Sequence, residues 1–390
     1  MEGRWGQLFY WLYRIETSCA GQTGRVLSQF KAASLVGSNP SLNNHGMKSL
    51  SQRYIYVGKY VGKYEGDIRM KAVRINEFGG LDVLKWEETP QPTPRPHQVL
   101  IKVDSAGVNY ADIMRRGGGY PGPDLPSSLG LEASGTVVEV GSAVDWISVG
   151  QQVMAMGPGG QAEYVAVNGN LVFPYPESMD PVQAGGMPIV FLTSYHLLKT
   201  RGQMQPGDTV LVQAGASGVG TVAIQLAKAW GAKVIATAST QEKLDLCASL
   251  GADTTINYIT NDFEEVIKEE THGNGVEVVL ECVGGPVLEK SVRCVAAYGR
   301  LLSYGNASNT PAAIASADFT GANRTVIGFS MGRSPVGSLD HKSAMEELLP
   351  MIAAGKAKLI VDQVLPMSEV AKAHQHLSGR GTKGKVILTP

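Results

Sequence analysis

The stretch Thr209–Ser239, TVLVQAGASGVGTVAIQLAKAWGAKVIATAS, reads as strand, glycine turn, helix and second strand. The β-rich run Val210, Leu211, Val212 meets a turn that holds Gly215, Gly218 and Gly220. Apolar residues at Val222, Ile224, Leu226, Ala227 and Trp230 then mark a helix, and Gly231 stops it. Such a unit aims backbone N–H groups and the positive end of a helix dipole at one point, where a diphosphate can sit. Glycines alone would say little. Their place between a strand and a helix gives them meaning.

The second strand ends without an acidic residue. Folds that bind NAD put an Asp or Glu there, about 20 residues after the first glycine, to bond the ribose 2′-hydroxyl. Here Thr237, Ala238, Ser239, Thr240 and Gln241 occupy the place, with Lys243 one turn further on. A carboxylate would repel a 2′-phosphate, whereas hydroxyls and an ammonium hold one by charge-assisted hydrogen bonds. The pattern points to NADPH rather than NADH. Reading Lys243 as a plain solvated charge would leave the missing acid unexplained. The turn also approaches the hydrolase elbow GxSxG through Gly215 and Ser217, but Val219 stands where the second glycine is needed. No acid–His pair follows in the order that fold uses, so Ser217 reads as a phosphate-loop residue.

At 390 residues the chain has room for two ordinary domains. Its apolar content of 43% and charged content of 18% are those of a globular protein, and a net charge of −1 favours neither nucleic acid nor an anionic membrane. Cys19, Cys247, Cys282 and Cys294 are scattered, with no CxxC pair. This argues against a disulfide framework or a cysteine zinc site and suits a reducing compartment. No apolar run has the length of a membrane-spanning helix. The first 64 residues carry eight Lys or Arg, two acids and seven serines, the composition of an organellar transit peptide. A spurious upstream extension explains them equally well, because a regular strand pattern opens at Met70 with MKAVRINEFGG. Residues 1–69 are therefore kept out of the fold. The expected location is cytoplasmic, or mitochondrial if the extension is a transit peptide.

From Met70 to Pro188 short alternating strands (MKAVRI, VLIKVDSAGV, GTVVEVG, QQVMAM, AEYVAV) are separated by Gly- and Pro-rich turns, which predicts a mostly β domain. Pro90, Pro92, Pro94 and Pro96 make a stiff extended approach to one of these strands. From Ile189 strands and helices alternate, with strands near 209–215, 233–239, 254–258, 276–283, 299–305 and 325–330. Six strands with intervening helices match two βαβαβ halves of a doubly wound α/β sheet. We place the nucleotide-binding domain at 189–324. The segment 325–390, with helices near 341–354 and 368–378 and a final strand KVILTP, is expected to return to the first domain.

These landmarks together resemble the zinc-independent quinone oxidoreductases, the zeta-crystallin group of the medium-chain dehydrogenase/reductase superfamily. The resemblance covers 70–390 and rests on GVNYADIMRRGGGYPGP, LGLEASGTVVEVG, the phosphate loop with Gln225 and Lys228 after it, ECVGG and SYGNAS, in that order. It implies a GroES-like catalytic domain beside a Rossmann domain, NADPH as cofactor and no metal. Alcohol dehydrogenase relatives hold zinc through a Cys–His pair and the His of a GHE motif. Asn109, Tyr110 and Leu131 (before Glu132) stand there instead, so a tetrahedral site lacks its thiolate and imidazole donors. His374 and His376 form an HxH that we read as solvated residues on a surface helix.

By the same resemblance, Tyr120 faces the nicotinamide or substrate and donates to a developing oxyanion, with Asn109 and Tyr110 as neighbouring polar groups. Asp112 and Glu132 read as supports rather than as acids or bases. The implied cofactor contacts are Ser217, Gly218 and Val219 at the diphosphate, and Ser239, Lys243 and Tyr258 at the 2′-phosphate. Gly284, Gly305 and Asn306 follow at later strand ends, with Thr193 and Phe329 beside the nicotinamide and Lys385 as a further contact. The strand TVIGFS at 325–330 would be an apolar edge in a monomer, and such edges need cover. A homodimer joined there is expected, as in the family. The activity implied is NADPH-dependent reduction of small aromatic quinones. The alternatives are an enoyl or 2-alkenal reductase, and an NADPH-binding protein with little turnover.

Overall fold

The computed structural model of the protein describes residues 54–57, 60–63, 68–334 and 338–390. The N-terminal extension expected over 1–69 thus lies almost wholly outside the described residues. Within it, β1 (Tyr54–Val57) and β2 (Tyr60–Lys63) pair as an antiparallel hairpin, which the sequence reading did not anticipate.

The second unit begins at Arg69. Its first part is the expected β domain: β3 (Arg69–Ile75), β4 (Lys85–Pro90), β5 (Gln98–Val108), helix α1 (Tyr110–Arg116), β6 (Ser127–Ser128), β7 (Glu132–Val140), β8 (Gln152–Met156), β9 (Tyr164–Asn168) and β10 (Val172–Pro174). The long strand β5 is paired along both edges, by β7 and β9, and buries side chains along most of its length. Helices α2 (Pro181–Ala184) and α3 (Met187–Tyr195) follow, and α3 runs on into a π-helical turn, His196–Arg201.

Alternation then sets in: β11 (Thr209–Val212), α4 (Gly218–Ala229), β12 (Lys233–Ala238), α5 (Gln241–Ser249), β13 (Thr254–Asn257), α6 (Phe263–Glu270), β14 (Val276–Glu281), α7 (Gly285–Arg293), β15 (Val295–Ser303), α8 (Ser316–Thr320) and β16 (Thr325–Gly328). All six strands are parallel, in the order β13-β12-β11-β14-β15-β16. This is the doubly wound order, reversing between β11 and β14, where a crevice opens at the carboxyl ends. The central strands read as unbroken apolar runs because both faces are covered. Val210 and Val212 enter one core and Leu211 the other. Helix α9 (His341–Ala353) leads to β17 (Val361–Pro366), α10 (Val370–Ser378) and β18 (Lys385–Thr389). Strand β18 pairs antiparallel with β5, so the tail completes the sheet of the β domain.

Two expected boundaries shift. Strand β16 hydrogen-bonds to β15 in register Arg300↔Thr325 to Ser303↔Gly328, so the segment starting at 325 does not simply return to the β domain; its first strand closes the parallel sheet. The division at 188–189 falls inside the first turn of α3. That helix joins the two halves: Phe191 and Leu192 share one core with Met154 and Phe173, with Val212 and Ile224, and with Ile387.

Candidate active site

The phosphate loop follows from its glycines and one serine. A Cβ on Gly220 would lie 2.4 Å from the Ala214 carbonyl oxygen, so only glycine lets α4 start this close to the strand end. Ala214 itself takes φ +53 to make the turn. Ser217 caps α4, its Oγ accepting from the Gly220 N–H at 3.1 Å. The first turn of a helix has N–H groups without intrahelical acceptors. Gly218 and Val219 are the remaining ones here, and both line the cavity. An anion is thus met by oriented donors and the helix dipole.

That cavity has a volume of about 1780 Å³ and lies between the β domain and the carboxyl ends of the parallel sheet. Ser239, Lys243 and Tyr258 line it together. Of the hydroxyls at the end of β12, Thr237 and Ser239 line the cavity and Thr240 does not. Thr237 is buried and donates to Gln213 Oε1 at 2.6 Å, and Thr240 caps α5. Lys243 donates from Nζ to the Arg380 carbonyl at 2.6 Å, and burial, more than any neighbouring charge, holds its pKa below the usual lysine value. Arg380 also lines the cavity, so a second cation joins the first. Sequence reading missed it; the available signal was the basic run GRGTKGK just before β18. A cleft with oriented N–H donors at one point and two cations without a carboxylate at the end of β12 fits a dinucleotide with a 2′-phosphate.

Thr193, Gly305, Asn306, Phe329 and Lys385 line the same cavity. Gly284 does not. Its N–H donates to Glu281 Oε1, its φ is +80, and a Cβ there would meet Asn306 Oδ1 at 2.1 Å. Its smallness lets Asn306 pack, and its neighbour Val283 faces the cavity instead.

Asn109 is committed elsewhere than expected. Its Nδ2 donates to Glu132 Oε1 at 2.9 Å, and its Oδ1 accepts from Lys385 Nζ at 2.6 Å. Lys385 and Glu132, 3% and 0% exposed, pair at 2.6 Å, and Glu132 Oε2 accepts from the Ile189 N–H. This buried triangle ties β18, β7, α1 and α3 together at the cavity wall. Asn109 lines the cavity but is a positioning residue rather than a free donor. Beneath it, Asp112 accepts from the Asn109 N–H at 2.8 Å, and burial pushes its pKa up to about 7 against the pull of that bond and of Lys385. Tyr110 donates to the Ala307 carbonyl at 3.1 Å and so bridges the crevice. Tyr120 stands opposite Gly332, where a Cβ would lie 3.0 Å from its hydroxyl.

The HxH is not solvated. His374 is fully buried in α10, 3.4 Å from Arg116 Nη1, and burial with that charge pushes its pKa down to about 3. His376 bonds Asp362 at 2.6 Å. Among the described residues no three His, Cys, Asp or Glu side chains gather as metal ligands, and no helix is long and apolar enough to cross a membrane.

Comparison with known proteins agrees with this architecture. Residues 95–177 match the alcohol dehydrogenase GroES-like domain, and residues 218–354 match the zinc-binding dehydrogenase family. A 2-haloacrylate reductase of Burkholderia is 33% identical over 331 residues, covering 82% of this chain and 98% of its own. The quinone oxidoreductase of Pseudomonas aeruginosa is 34% identical, with 82% and 99% covered. The crystal structure of Escherichia coli quinone oxidoreductase complexed with NADPH superposes with a TM-score of 0.78 at 31% identity, covering 82% of this chain and all of that one. With its GroES-like and Rossmann halves and these relatives along 82% of its length, the chain belongs to the quinone oxidoreductases of the medium-chain dehydrogenase/reductase family.

Proposed function

We propose that the protein is an NADPH-dependent reductase of quinones. The observation that carries this is one cavity joining the Ser217 helix terminus and the Ser239–Lys243–Arg380 cluster to Tyr120 and the Asn109 wall. Ser217, Gly218 and Val219 would hold the diphosphate. Ser239, Lys243 and Tyr258 would hold the 2′-phosphate, with Arg380 beside them. Thr193 and Phe329 would flank the nicotinamide, which when bound supplies the hydride. The chain then needs only to orient the acceptor, exclude water from its apolar part and donate to the oxygen that gains charge. Tyr120 is suited to that donation. Lys385 and Glu132 fix Asn109, and Asn109 shapes the wall beside it. A conjugated acceptor spreads the incoming charge, so neutral donors suffice, and the one proton that completes the reduction can come from water. Asn109, Tyr110 and Leu131 at the places of the alcohol dehydrogenase ligands support chemistry without zinc.

The 33% identity to a 2-haloacrylate reductase supports a second reading, reduction of an activated C=C bond with the same cofactor. We further propose two functional domains divided by the cavity, and a homodimer through β16. That strand is the sheet edge and leaves Val326 39% exposed. Sedimentation at micromolar concentration tests the dimer; a monomer removes it. A cytoplasmic location is proposed from the scattered cysteines, and a mitochondrial one from the composition of the first 64 residues. The function is tested by NADPH oxidation by the full-length protein, with 9,10-phenanthrenequinone and trans-2-hexenal in parallel and NADH as the competing donor. Quinone turnover that prefers NADPH supports the first reading, and enal turnover alone moves the protein to the second. Absence of both with intact NADPH binding sinks the enzyme reading.

A further inference from the structure

Ligand pockets commonly enclose roughly 300–1,000 Å³. This cavity, partly open to solvent, has a volume of about 1780 Å³ and runs on beyond the phosphate loop and Tyr120. The part that runs on has a definite lining. Helix α9 turns one face to it: Lys342, Met345, Glu346 and Leu349, spaced i, i+3, i+4 and i+7. Met345 is 1% exposed and Leu349 half-buried, while Lys342 and Glu346 are exposed, so the face is apolar inside and charged at its rim. The turn at 169–171 and β10 contribute Leu171 and Phe173, and Trp146 lines the same space while 52% exposed to solvent.

The position of this arm matters as much as its lining. Helix α9 packs against α3 and against the 169–171 turn. Helix α3 carries Ile189 and Thr193 into the cavity beside Glu132 and Asn109. The arm therefore opens from the end of the cavity where the acceptor would be reduced, not from the Ser239–Lys243 end. Met345, Leu349, Leu171 and Phe173 carry no charge; Asn168, Asn170 and His341 line the space beside them, and Lys342 stands at the rim.

We infer that the acceptor substrate carries an unbranched apolar chain, which lies in this arm along Met345, Leu349, Leu171 and Phe173 and leaves past Trp146. The inference rests on the reductase reading and narrows it. An alkylated quinone and a long-chain 2-alkenal share this chemistry, and the assay separates them.

The test measures kcat/KM of the full-length protein with saturating NADPH across two series. One is trans-2-pentenal, hexenal, octenal and decenal; the other is 1,4-benzoquinone bearing methyl, butyl and octyl groups. A fully buried methylene is worth about fourfold in affinity. With an arm open at Trp146, we expect about twofold or more per methylene in whichever series is turned over, then a plateau. Leu349→Arg and Leu171→Arg should each flatten that rise, with NADPH affinity and melting temperature reporting that the variants are folded. Turnover of the short members with a flat or falling series overturns the inference and leaves the reductase reading standing. A rise that survives both arginines overturns the placement of the chain. No turnover in either series removes the reading and this inference together.

Discussion

Lys385 and Glu132 are separated by most of the chain, yet they meet with almost no exposure to water. Such a pair gains little over an apolar replacement, but breaking it leaves a buried charge without a partner. Lys385→Met should therefore destabilise the protein by about 3–5 kcal/mol. The double variant Lys385→Met, Glu132→Gln should recover a large part, because Gln still accepts from the Ile189 N–H. Urea unfolding of the wild type, Lys385→Met, Glu132→Gln and the double variant checks this. Additive losses would mean that the pair is not the unit we take it for. The same network marks the limit of reading residues from sequence. The places of Asn109 and Tyr120 were legible because the motif around them is local. That the Asn109 amide is committed was not, since its partner Lys385 lies on the last strand. Gly284 and His374 were misplaced for a related reason. Burial and facing direction are set by tertiary neighbours, Asn306 in one case and Arg116 in the other.

The elements themselves were legible wherever one period dominates. The six parallel strands and α9 fall within a few residues of their expected limits, because apolar runs bounded by glycine are a strong signal. The π-helical turn at His196–Arg201 carries no such signal, and β16, expected as the sixth strand, does pair with β15, so the domain boundary drawn at 325 cut it from its sheet. The phosphate loop is the element on which binding rests, and it permits a sharp test. Gly220→Ala would set a methyl 2.4 Å from the Ala214 carbonyl oxygen and 2.7 Å from that of Gly215. Backbone on both sides means that α4 or the turn must move, shifting the Gly218 and Val219 donors. We expect NADPH affinity to fall by about tenfold to a hundredfold, the worth of one hydrogen bond to a charged group. Gly328→Ala, where a Cβ meets nothing within 4 Å, serves as the control and should bind as the wild type does. Fluorescence titration with NADPH decides it, and equal affinities for the two variants would remove the loop from the site.

At the scale of the whole molecule, buried groups of opposite character set the pH dependence of stability. His196 is held down to about 4, chiefly by burial and then by His341; His374 is held down to about 3; and His341 is lowered by burial. His196 bonds His341 at 3.0 Å and Thr200 at 2.9 Å, while Tyr195, Lys199, Glu347 and Asp340 surround the pair. In the native state His196 and His374 stay neutral down to about pH 4, whereas the unfolded chain protonates them near pH 6.5. Their contribution is thus complete above pH 6.5 and is lost as pH falls toward 4. Asp112 acts in the other direction. With a native pKa of about 7 it keeps its proton while the unfolded chain gives one up near 3.8, so its contribution is present at low pH and lost as pH rises toward 7. Glu281, raised by burial, follows Asp112. Between pH 4.5 and 6.5 the buried histidines therefore make stability rise with pH, and the raised carboxyls Asp104, Asp112 and Glu281 oppose them. Asp112→Asn keeps an oxygen for the Asn109 N–H and removes one opposing titration. Its stability should rise with pH more steeply than that of the wild type, by up to about 1.4 kcal/mol per unit in the same window. Urea unfolding at pH 4.5, 5.5 and 6.5 reads both slopes, and parallel curves for the two proteins would show that Asp112 is ionised in the folded state throughout.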